Sequence, residues 1–313
     1  ALLTLLVWAL PAILVMSTLS FLYQVLENRQ ISSSILRYIG PMAVGFIFLA
    51  AFRIGKKVLT DALTIVLFLV GLITTYFIRT PWVFPTVLLF GAIVSIVISK
   101  ETELFNKAKL HPPYRYLLLF GLFALGTLAL SVITHNLLVT LFEAFYRYGY
   151  LVFGGGQVVV PVMIAELVET KGYLTNEEFL TGYGLVQGLP GPMFSFSSYA
   201  GGMVARTLGP FGQAVGALLS GIAIFLPGTL LIFFIYPIWE ELKNIKAVKV
   251  SLKGINAVAG GLIAAAAILL LQKSGIQTDN LLVAAITVTL LATRKIPAPL
   301  IVLAVLGAGI VVG

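Results

Sequence analysis

The stretch that decides the fold is residues 153–192, which opens with FGGGQVVVP (153–161) and closes with GLVQGLPGP (184–192). Glycine and proline cannot continue a helix without leaving backbone N–H and C=O groups unpaired. Because unpaired backbone groups are costly in hydrocarbon, broken helices survive there only where protein or a water-filled cavity surrounds them. Two such breaks in membrane helices are typical of the substrate site of a transporter.

The composition around this stretch is that of an integral membrane protein. The chain is 59% hydrophobic and 10% charged, whereas a soluble domain carries about 25% charged residues. Its apolar runs, several of which approach the ~20 residues of a spanning helix, cover about 2–25, 38–52, 60–78, 83–99, 116–134, 137–153, 211–239, 254–272, 278–293 and 297–312. The runs predict an all-α polytopic helical bundle with broken or re-entrant helices, placed in the cell membrane as a multi-pass protein.

Cysteine usage and charge exclude several classes of function. The chain has no cysteine, which removes disulfides and thiolate metal sites, and we expect neither a metal nor another cofactor. The net charge of +8 fits basic cytoplasmic loops or the handling of anions. Its lysines are spread over loops rather than clustered on one surface, so we exclude nucleic acid as a partner. The lipid bilayer is an expected partner, and a homodimer stays open.

A repeat relates the two ends of the chain. RYIGPMAVGF (37–46) parallels LKGINAVAGG (252–261), and the pair Gly40 and Gly254 has the same offset of 214 as Pro85 and Pro299. We predict that residues 1–99 are the remainder of a first repeat whose N-terminal part is missing. Residues 116–313 are then the second repeat, which carries both breaks. The alternative is that the first half never had breaks.

The distribution of lysine and arginine predicts the orientation of the two copies. In the first half the basic loops are 53–59 and 100–115, which we expect to be cytoplasmic, with 100–115 as a basic linker. In the second half the basic segments are 240–253 and the turn near 294, which correspond to the external loops of the first copy. The two copies are therefore predicted to be inverted repeats.

The two breaks supply candidate ligands for an anion. Each precedes a helical run, and a helix N-terminus presents free N–H donors and a partial positive charge. Serine, tyrosine and glutamine near the second break can donate hydrogen bonds to an oxyanion. The candidate substrate-binding residues are Gly154, Gly155, Gly156, Gln157, Gln187, Pro190, Gly191, Pro192, Ser195 and Ser197, with Ser198 and Tyr199 as further donors.

Each of these features also has a purely structural explanation. A glycine triplet in a membrane helix is commonly a site of close packing, and a serine commonly bonds back to its own helix. Thr175 and Glu178 fit a capping box. Glu143 and Arg147 are one turn apart and can neutralise each other, Glu166 is either interfacial or a proton relay, and Arg206 is expected to extend to the lipid headgroups.

The motifs FGGGQVVVPVM and LTNEEFLTGYGLVQGLPGPMFSFSSYAGG resemble the second-half signature of the chromate ion transporter family. The resemblance is specific through residues 153–202, and the family's first-half signature is absent. It implies that the substrate is chromate, a tetrahedral dianion similar to sulfate, and that transport is efflux associated with chromate resistance. The residues it implies are Gly154, Gly155, Gly156, Gln157, Gln187, Pro190, Gly191 and Pro192.

The function predicted from the sequence is therefore secondary transport of a tetrahedral oxyanion by a protein that is not an enzyme. No GxxxxGK[ST] element is present to bind a nucleotide phosphate. One alternative is another small anion, such as sulfate or molybdate, because dipoles and hydroxyls recognise charge and shape. The other is an intramembrane hydrolase with Ser195 as nucleophile and His135 as base, which lacks a GxSxG-type element.

Overall fold

The computed structural model describes residues 2–28, 35–78, 80, 82–101, 104, 112–151 and 156–312. This part of the chain forms helices joined by short turns, and it contains no strand. The α-helices are α1 (Leu2–Asn28), α2 (Ile39–Val58), α3 (Ala62–Phe77), α4 (Val83–Ile98), α5 (Tyr114–Thr134), α6 (Leu137–Tyr150), α7 (Val159–Met163), α8 (Asn176–Val186), α9 (Phe196–Ala205), α10 (Gly209–Ile235), α11 (Trp239–Leu242), α12 (Lys246–Ser274), α13 (Thr278–Thr293) and α14 (Ala298–Val312). A π-helix, Ile164–Thr170, continues α7, and 3₁₀ turns occupy Gly156–Val158, Met193–Ser195, Arg206–Leu208 and Tyr236–Ile238.

Several helical stretches have the length and composition to cross a bilayer. Among the described residues there are five, namely Leu3–Glu27, Ile39–Val58, Tyr114–Thr134, Met193–Leu242 and Lys246–Ser274. Four shorter apolar helices, Ala62–Phe77, Val83–Ile98, Thr278–Thr293 and Ala298–Val311, accompany them. The fold is that of an all-α polytopic membrane protein, which confirms the class predicted from the apolar runs.

Polar caps explain why several helices begin where they do. Asp61 accepts a hydrogen bond from Thr64 N at 2.9 Å, and the Thr64 hydroxyl bonds back to the cap, which forms a capping box at the start of α3. Asn136 accepts from Leu138 N at 2.9 Å and thereby starts α6. These caps satisfy N–H groups that would otherwise have no partner at a helix start.

The chain divides into two compact units. The first comprises residues 1–50, 166–222 and 267–313, and the second comprises 51–165 and 223–266. This division follows contacts in space rather than the order of the predicted repeats. The predicted division into 1–99, 100–115 and 116–313 stays a prediction.

In the first unit, α1 packs along α9 and the start of α2 packs against α13. The Tyr23 ring meets the Tyr199 ring edge to face, with 6.2 Å between centroids. At Gly45 a Cβ atom would lie 2.8 Å from the Ala284 carbonyl oxygen, so α2 and α13 cross with no room for a side chain at that position. An ion pair of 2.8 Å joins Arg37, just before α2, to Asp279 in the first turn of α13.

In the second unit, α5 and α6 form an aromatic hairpin and α3 packs against α12. Tyr146 donates to the Phe120 carbonyl at 3.0 Å, which joins α6 to α5. A Cβ atom at Gly71 would lie 2.6 Å from the Val258 carbonyl oxygen, so α3 and α12 cross closely. Asp61, at the start of α3, forms an ion pair with Lys253 of α12.

The helix bounds and these crossings repeat at the offset seen in the sequence. Shifting Val83–Ile98 by 214 gives 297–312, and α14 is Ala298–Val312. The crossing of Gly45 with Ala284 has a counterpart at the same offset: adding 214 to 45 gives 259, and subtracting 214 from 284 gives 70. The crossing in the second unit joins Val258 and Gly71, each one residue away from these positions. Each unit therefore contains the same type of helix crossing, made by parts of both predicted copies. The inverted orientation of the copies stays a prediction.

Candidate functional site

The second predicted break lies at the tip of a helical hairpin. Helix α8 ends at Val186, and the chain resumes a helical path at Met193, as the PGP motif predicts. The two limbs run antiparallel, because later residues of α8 meet earlier residues of the returning limb. Gly182 lies against the Tyr199 ring, whereas the ring of the next residue, Tyr183, meets the Phe196 ring with 6.2 Å between centroids. We refer to residues 175–206 as the hairpin and to residues 187–192 as its tip.

The hairpin is too short to cross a bilayer. The 11 residues of α8 extend about 16 Å and the 13 residues from Met193 to Ala205 about 20 Å, whereas the hydrocarbon layer is ~30 Å thick. Charged side chains mark the base of the hairpin, and the returning limb from Phe196 to Ala205 is buried throughout. The two limbs are therefore about half to two thirds as long as the hydrocarbon layer is thick.

A buried ion pair closes the base of the hairpin. Glu178 bonds through Oε2 to Thr175 N at 2.7 Å, and Glu178 N donates to the Thr175 hydroxyl at 3.1 Å, so the predicted capping box is confirmed. The other carboxylate oxygen of Glu178 pairs with the Arg206 guanidinium. The side chain of Glu178 is 2% exposed and that of Arg206 27%. Arg206 therefore neutralises a buried carboxylate, and the prediction that it extends to the headgroups stays a prediction.

The tip exposes backbone that is not helical. Pro190 and Gly191 are exposed, whereas Pro192 is buried. Gly191 has φ 155, and a Cβ atom there would lie 2.8 Å from Ala12 Cβ. Exposed irregular backbone within hydrocarbon is tolerated only where protein or a water-filled opening surrounds it. That the tip contributes to a substrate site stays a prediction.

The Gln187 amide is the one polar side chain of the tip sequence, and its nitrogen is buried. Gln187 caps the end of α8, where its backbone N–H bonds to the Gly184 carbonyl at 3.2 Å. Its Nε2 atom has no hydrogen-bond partner in the part of the chain that the structure describes. A buried donor without a partner costs about 1–3 kcal/mol. Such a cost is expected where a donor is reserved for a ligand.

The serines after the tip divide into two classes. Ser195 donates to the Pro192 carbonyl at 2.8 Å and Ser197 to the Phe194 carbonyl at 2.7 Å, so neither hydroxyl proton is available to an anion in this arrangement. Ser198 Oγ and Tyr199 Oη are buried, and neither has a partner within the described ranges. Among the described residues, the donors of the hairpin without a partner are thus Gln187 at the tip and Ser198 and Tyr199 within the returning limb. The binding roles predicted for Ser195 and Ser197 stay predictions that require their hydroxyls to rotate.

The first predicted break is described only in part. Gly154 and Gly155 lie outside the described residues. Gly156 and Gln157 are half-buried and begin a 3₁₀ turn that leads into α7, six residues after α6 ends at Tyr150. Both belong to the second unit, whereas the hairpin belongs to the first. That the two breaks face each other stays a prediction.

The π-helix at Ile164–Thr170 was not predicted from the sequence. π-Helices are rare and are found often at functional sites. This one contains Glu166, which is buried, and Lys171 N bonds to the Glu166 carbonyl at 2.9 Å. The local composition resembles that of any amphipathic turn, so no sequence signal could have located it.

The remaining charged candidates have structural roles. Glu143 and Arg147 form the predicted pair within α6, with Nε to Oε1 at 2.7 Å and Nη2 to Oε2 at 3.2 Å. His135 is exposed and ends α5 with a φ of 50. The Ser195 hydroxyl donates to a backbone carbonyl rather than to an imidazole, which does not favour the hydrolase alternative. Within the described ranges, no group of three His, Cys, Asp or Glu residues could hold a metal ion.

Comparison with known proteins gives consistent matches. A probable chromate transport protein of Synechococcus elongatus is 25% identical over 309 residues, which are 98% of this chain and 75% of that protein. A chromate transport protein of Cupriavidus metallidurans is 28% identical over 50% of this chain and 38% of its own length. An uncharacterised transporter of Methanocaldococcus jannaschii is 26% identical over 76% of this chain and 58% of its own length. No solved structure matches.

The chain thus spans less than two thirds of the length of two of these three relatives. The sequence profile described as "Chromate transporter" matches residues 1–96 and 139–312, which include both predicted breaks and the whole hairpin. The chain therefore belongs to the chromate transporter family.

Proposed function

We propose that this protein is a secondary transporter that moves a tetrahedral oxyanion, chromate, out of the cell across the cell membrane. The observation that carries the proposal is the hairpin tip, where exposed non-helical backbone lies beside the buried Gln187 Nε2 atom, which has no partner among the described residues. The printed names of the relatives in Synechococcus elongatus and Cupriavidus metallidurans support chromate as the substrate.

The chemistry of the tip suits a dianion that keeps part of its water. The donor there is the neutral Gln187 amide, and the other donors of the hairpin without a partner in the described residues, the Ser198 and Tyr199 hydroxyls of the returning limb, are also neutral. Neutral donors stabilise an anion without holding it as tightly as a buried cation would, which a transporter needs in order to release its substrate. The Arg206 guanidinium is not available to bind the anion, because it forms an ion pair with Glu178 at the base of the hairpin.

The membrane potential is sufficient to drive export of such an ion. Moving one charge across 100 mV is equivalent to about 2.3 kcal/mol, so a dianion gains about 4.6 kcal/mol in an inside-negative cell. This gain alone favours outward movement. If a proton is exchanged for the anion, the net charge moved in each transport cycle changes. The electrical current that accompanies transport measures this net charge.

The test is uptake into inside-out vesicles. Wild-type protein should accumulate labelled chromate when the interior is made positive, and collapse of the potential should abolish accumulation. Equal transport of sulfate would favour the broader anion specificity that neutral donors allow. Failure to move either ion, with the protein folded and oriented, would refute the proposal.

Gln187→Leu tests the role of the tip directly. A hydrogen bond to a charged group contributes about 1.5–3 kcal/mol, so the KM for chromate should rise roughly tenfold or more. Gln24→Leu is the matched control, because it makes the same chemical change at a half-buried residue of α1. An unchanged KM in Gln187→Leu, or an equal rise in both variants, would remove Gln187 from the site.

A further inference from the structure

Three basic segments meet on one face of the second unit. Lys253 pairs with Asp61, Lys246 pairs with Glu101 at 3.2 Å, and Ala247 N donates to the Leu104 carbonyl at 3.0 Å. These bonds join the segment before α3, the segment after α4 and the start of α12. They are the segments whose lysine and arginine content predicts a cytoplasmic location.

A cavity of about 530 Å³ opens among these segments. Its polar lining consists of the hydroxyl residues Thr64, Ser95 and Ser99, of the lysines Lys100, Lys249 and Lys253, and of the carboxylate of Glu101. We refer to it as the lysine cavity. Thr64 and Ser99 are engaged with neighbouring backbone, because Thr64 caps α3 and Ser99 accepts from Glu101 N at 3.2 Å.

The lysine cavity carries an excess of positive charge. Among the described residues, the cavity is lined by three lysines and by Glu101. Lys253 pairs with Asp61 and Glu101 pairs with Lys246, which leaves two positive charges, on Lys100 and Lys249. The bonds from Lys253 and from the backbone N–H of Thr64 lower the pKa of Asp61 to about 2, so Asp61 stays ionised and compensates Lys253. Lys100 and Lys249 have no ion-pair partner among the described residues. The excess therefore resides on these two side chains.

We propose that the lysine cavity is an oxyanion-binding vestibule that collects the doubly charged tetrahedral substrate at the cytoplasmic face. The inference rests on the proposed function for the identity of the substrate. Two cations that no described carboxylate compensates match the charge of one dianion. Concentrated charge of one sign in a cleft raises the local concentration and the association rate of an oppositely charged substrate. The phosphate of an anionic lipid is also a tetrahedral oxyanion, so it is the competing ligand for this cavity.

Lysines that serve only to orient the protein in the membrane would behave differently. The orienting effect depends on the number of basic residues in a loop and not on the cavity that they line. Lys56 and Lys57 in the last turn of α2 provide the control, because both are exposed and neither lines the cavity. Removing either pair of lysines removes the same charge from the same predicted face.

The experiment compares Lys100→Gln/Lys249→Gln with Lys56→Gln/Lys57→Gln in proteoliposomes of neutral lipid. The cavity variant should raise the KM for chromate about tenfold with kcat unchanged. The effect should shrink at 0.5 M salt, because salt screens the attraction. The control should stay within twofold of wild type. Equal KM values for both variants would overturn the vestibule, and so would an effect that is present only when anionic lipid is added.

A binding measurement separates failure of this inference from failure of the proposed function. If wild-type protein does not transport chromate, the proposed function fails, and the vestibule is tested with sulfate by thermal unfolding at constant ionic strength. Sulfate should raise the melting temperature of wild type and of Lys100→Arg/Lys249→Arg, but not that of the glutamine variant. The vestibule is overturned if sulfate stabilises the glutamine variant as much as wild type, or stabilises none of the proteins.

Discussion

The hairpin and the lysine cavity offer anions opposite kinds of environment. The hairpin is buried, its one cation is neutralised by Glu178, and its free groups are neutral donors. The lysine cavity is open and holds two lysines that have no ion-pair partner in the described part of the chain. Charge acts at long range but discriminates poorly, whereas buried hydrogen-bond donors discriminate by shape because leaving them unpaired is costly. The comparison suggests that attraction and selection are separate tasks in this chain.

The largest expected effect is a loss of stability when the ion pair of the hairpin, rather than that of the lysine cavity, loses its cation. Arg206→Gln leaves the Glu178 carboxylate buried and uncompensated, which costs about 3–5 kcal/mol of folding free energy. Lys253→Gln breaks a pair whose side chains are 51% and 42% exposed, and pairs of this type contribute about 0.2–1 kcal/mol. Thermal unfolding in detergent measures both losses.

The double variant Glu178→Gln/Arg206→Gln serves as the control for the buried pair. It removes both charges together, so it should recover most of the stability that Arg206→Gln loses. If Arg206→Gln and Lys253→Gln prove equally mild, the base of the hairpin is hydrated and the contrast between the two regions fails.

A smaller effect, on the KM for chromate, is expected to differ between two serines that differ in hydrogen bonding. Ser198→Ala removes a buried donor without a partner in the described residues, whereas Ser195→Ala removes one that is bonded to the Pro192 carbonyl. Ser198→Ala should raise the KM for chromate several-fold, equivalent to about 1 kcal/mol, with little loss of stability. Ser195→Ala should lower stability and leave KM within twofold. The reverse ranking in vesicle kinetics would place the substrate at Ser195.

The smallest effect concerns the pH dependence of the Asp61 pair. The pKa of Asp61 is lowered from 3.8 to about 2 in the folded protein, chiefly by the bond from Lys253. Its stabilisation is therefore fully present above the unfolded value and is lost as pH falls from about 4 toward 2. The difference in melting temperature between wild type and Asp61→Asn should be constant from pH 8 to 5 and shrink below pH 4. A difference that changes between pH 6 and 8 would implicate another group.

The fold was predictable from sequence wherever local chemistry determines it. The apolar run 278–293 coincides with α13, the PGP motif interrupts a helix, and Thr175 with Glu178 forms a capping box. Each of these features depends on residues within a few positions of one another. Hydrophobic length, missing N–H donors and cap geometry are enough to specify them.

The partners of individual groups could not be predicted in the same way. Arg206 meets Glu178 across 28 positions, and Arg37 meets Asp279 across 242. Such pairs depend on how helices pack, and many charged residues compete for each partner. The direction of a serine hydroxyl is equally hidden, because Ser195 and Ser198 have similar neighbours and differ only in which atoms lie within reach.

The short limbs of the hairpin have a consequence for how the protein is made. A segment of 11 to 13 residues does not span the hydrocarbon layer, so neither limb can be inserted as an independent transmembrane helix. Its tip would also leave backbone groups unsatisfied in lipid until other helices surround it. The hairpin must therefore fold after α1 and α10 are already in the bilayer. Folding of the hairpin then relies on contacts with a helix made some 150 residues earlier.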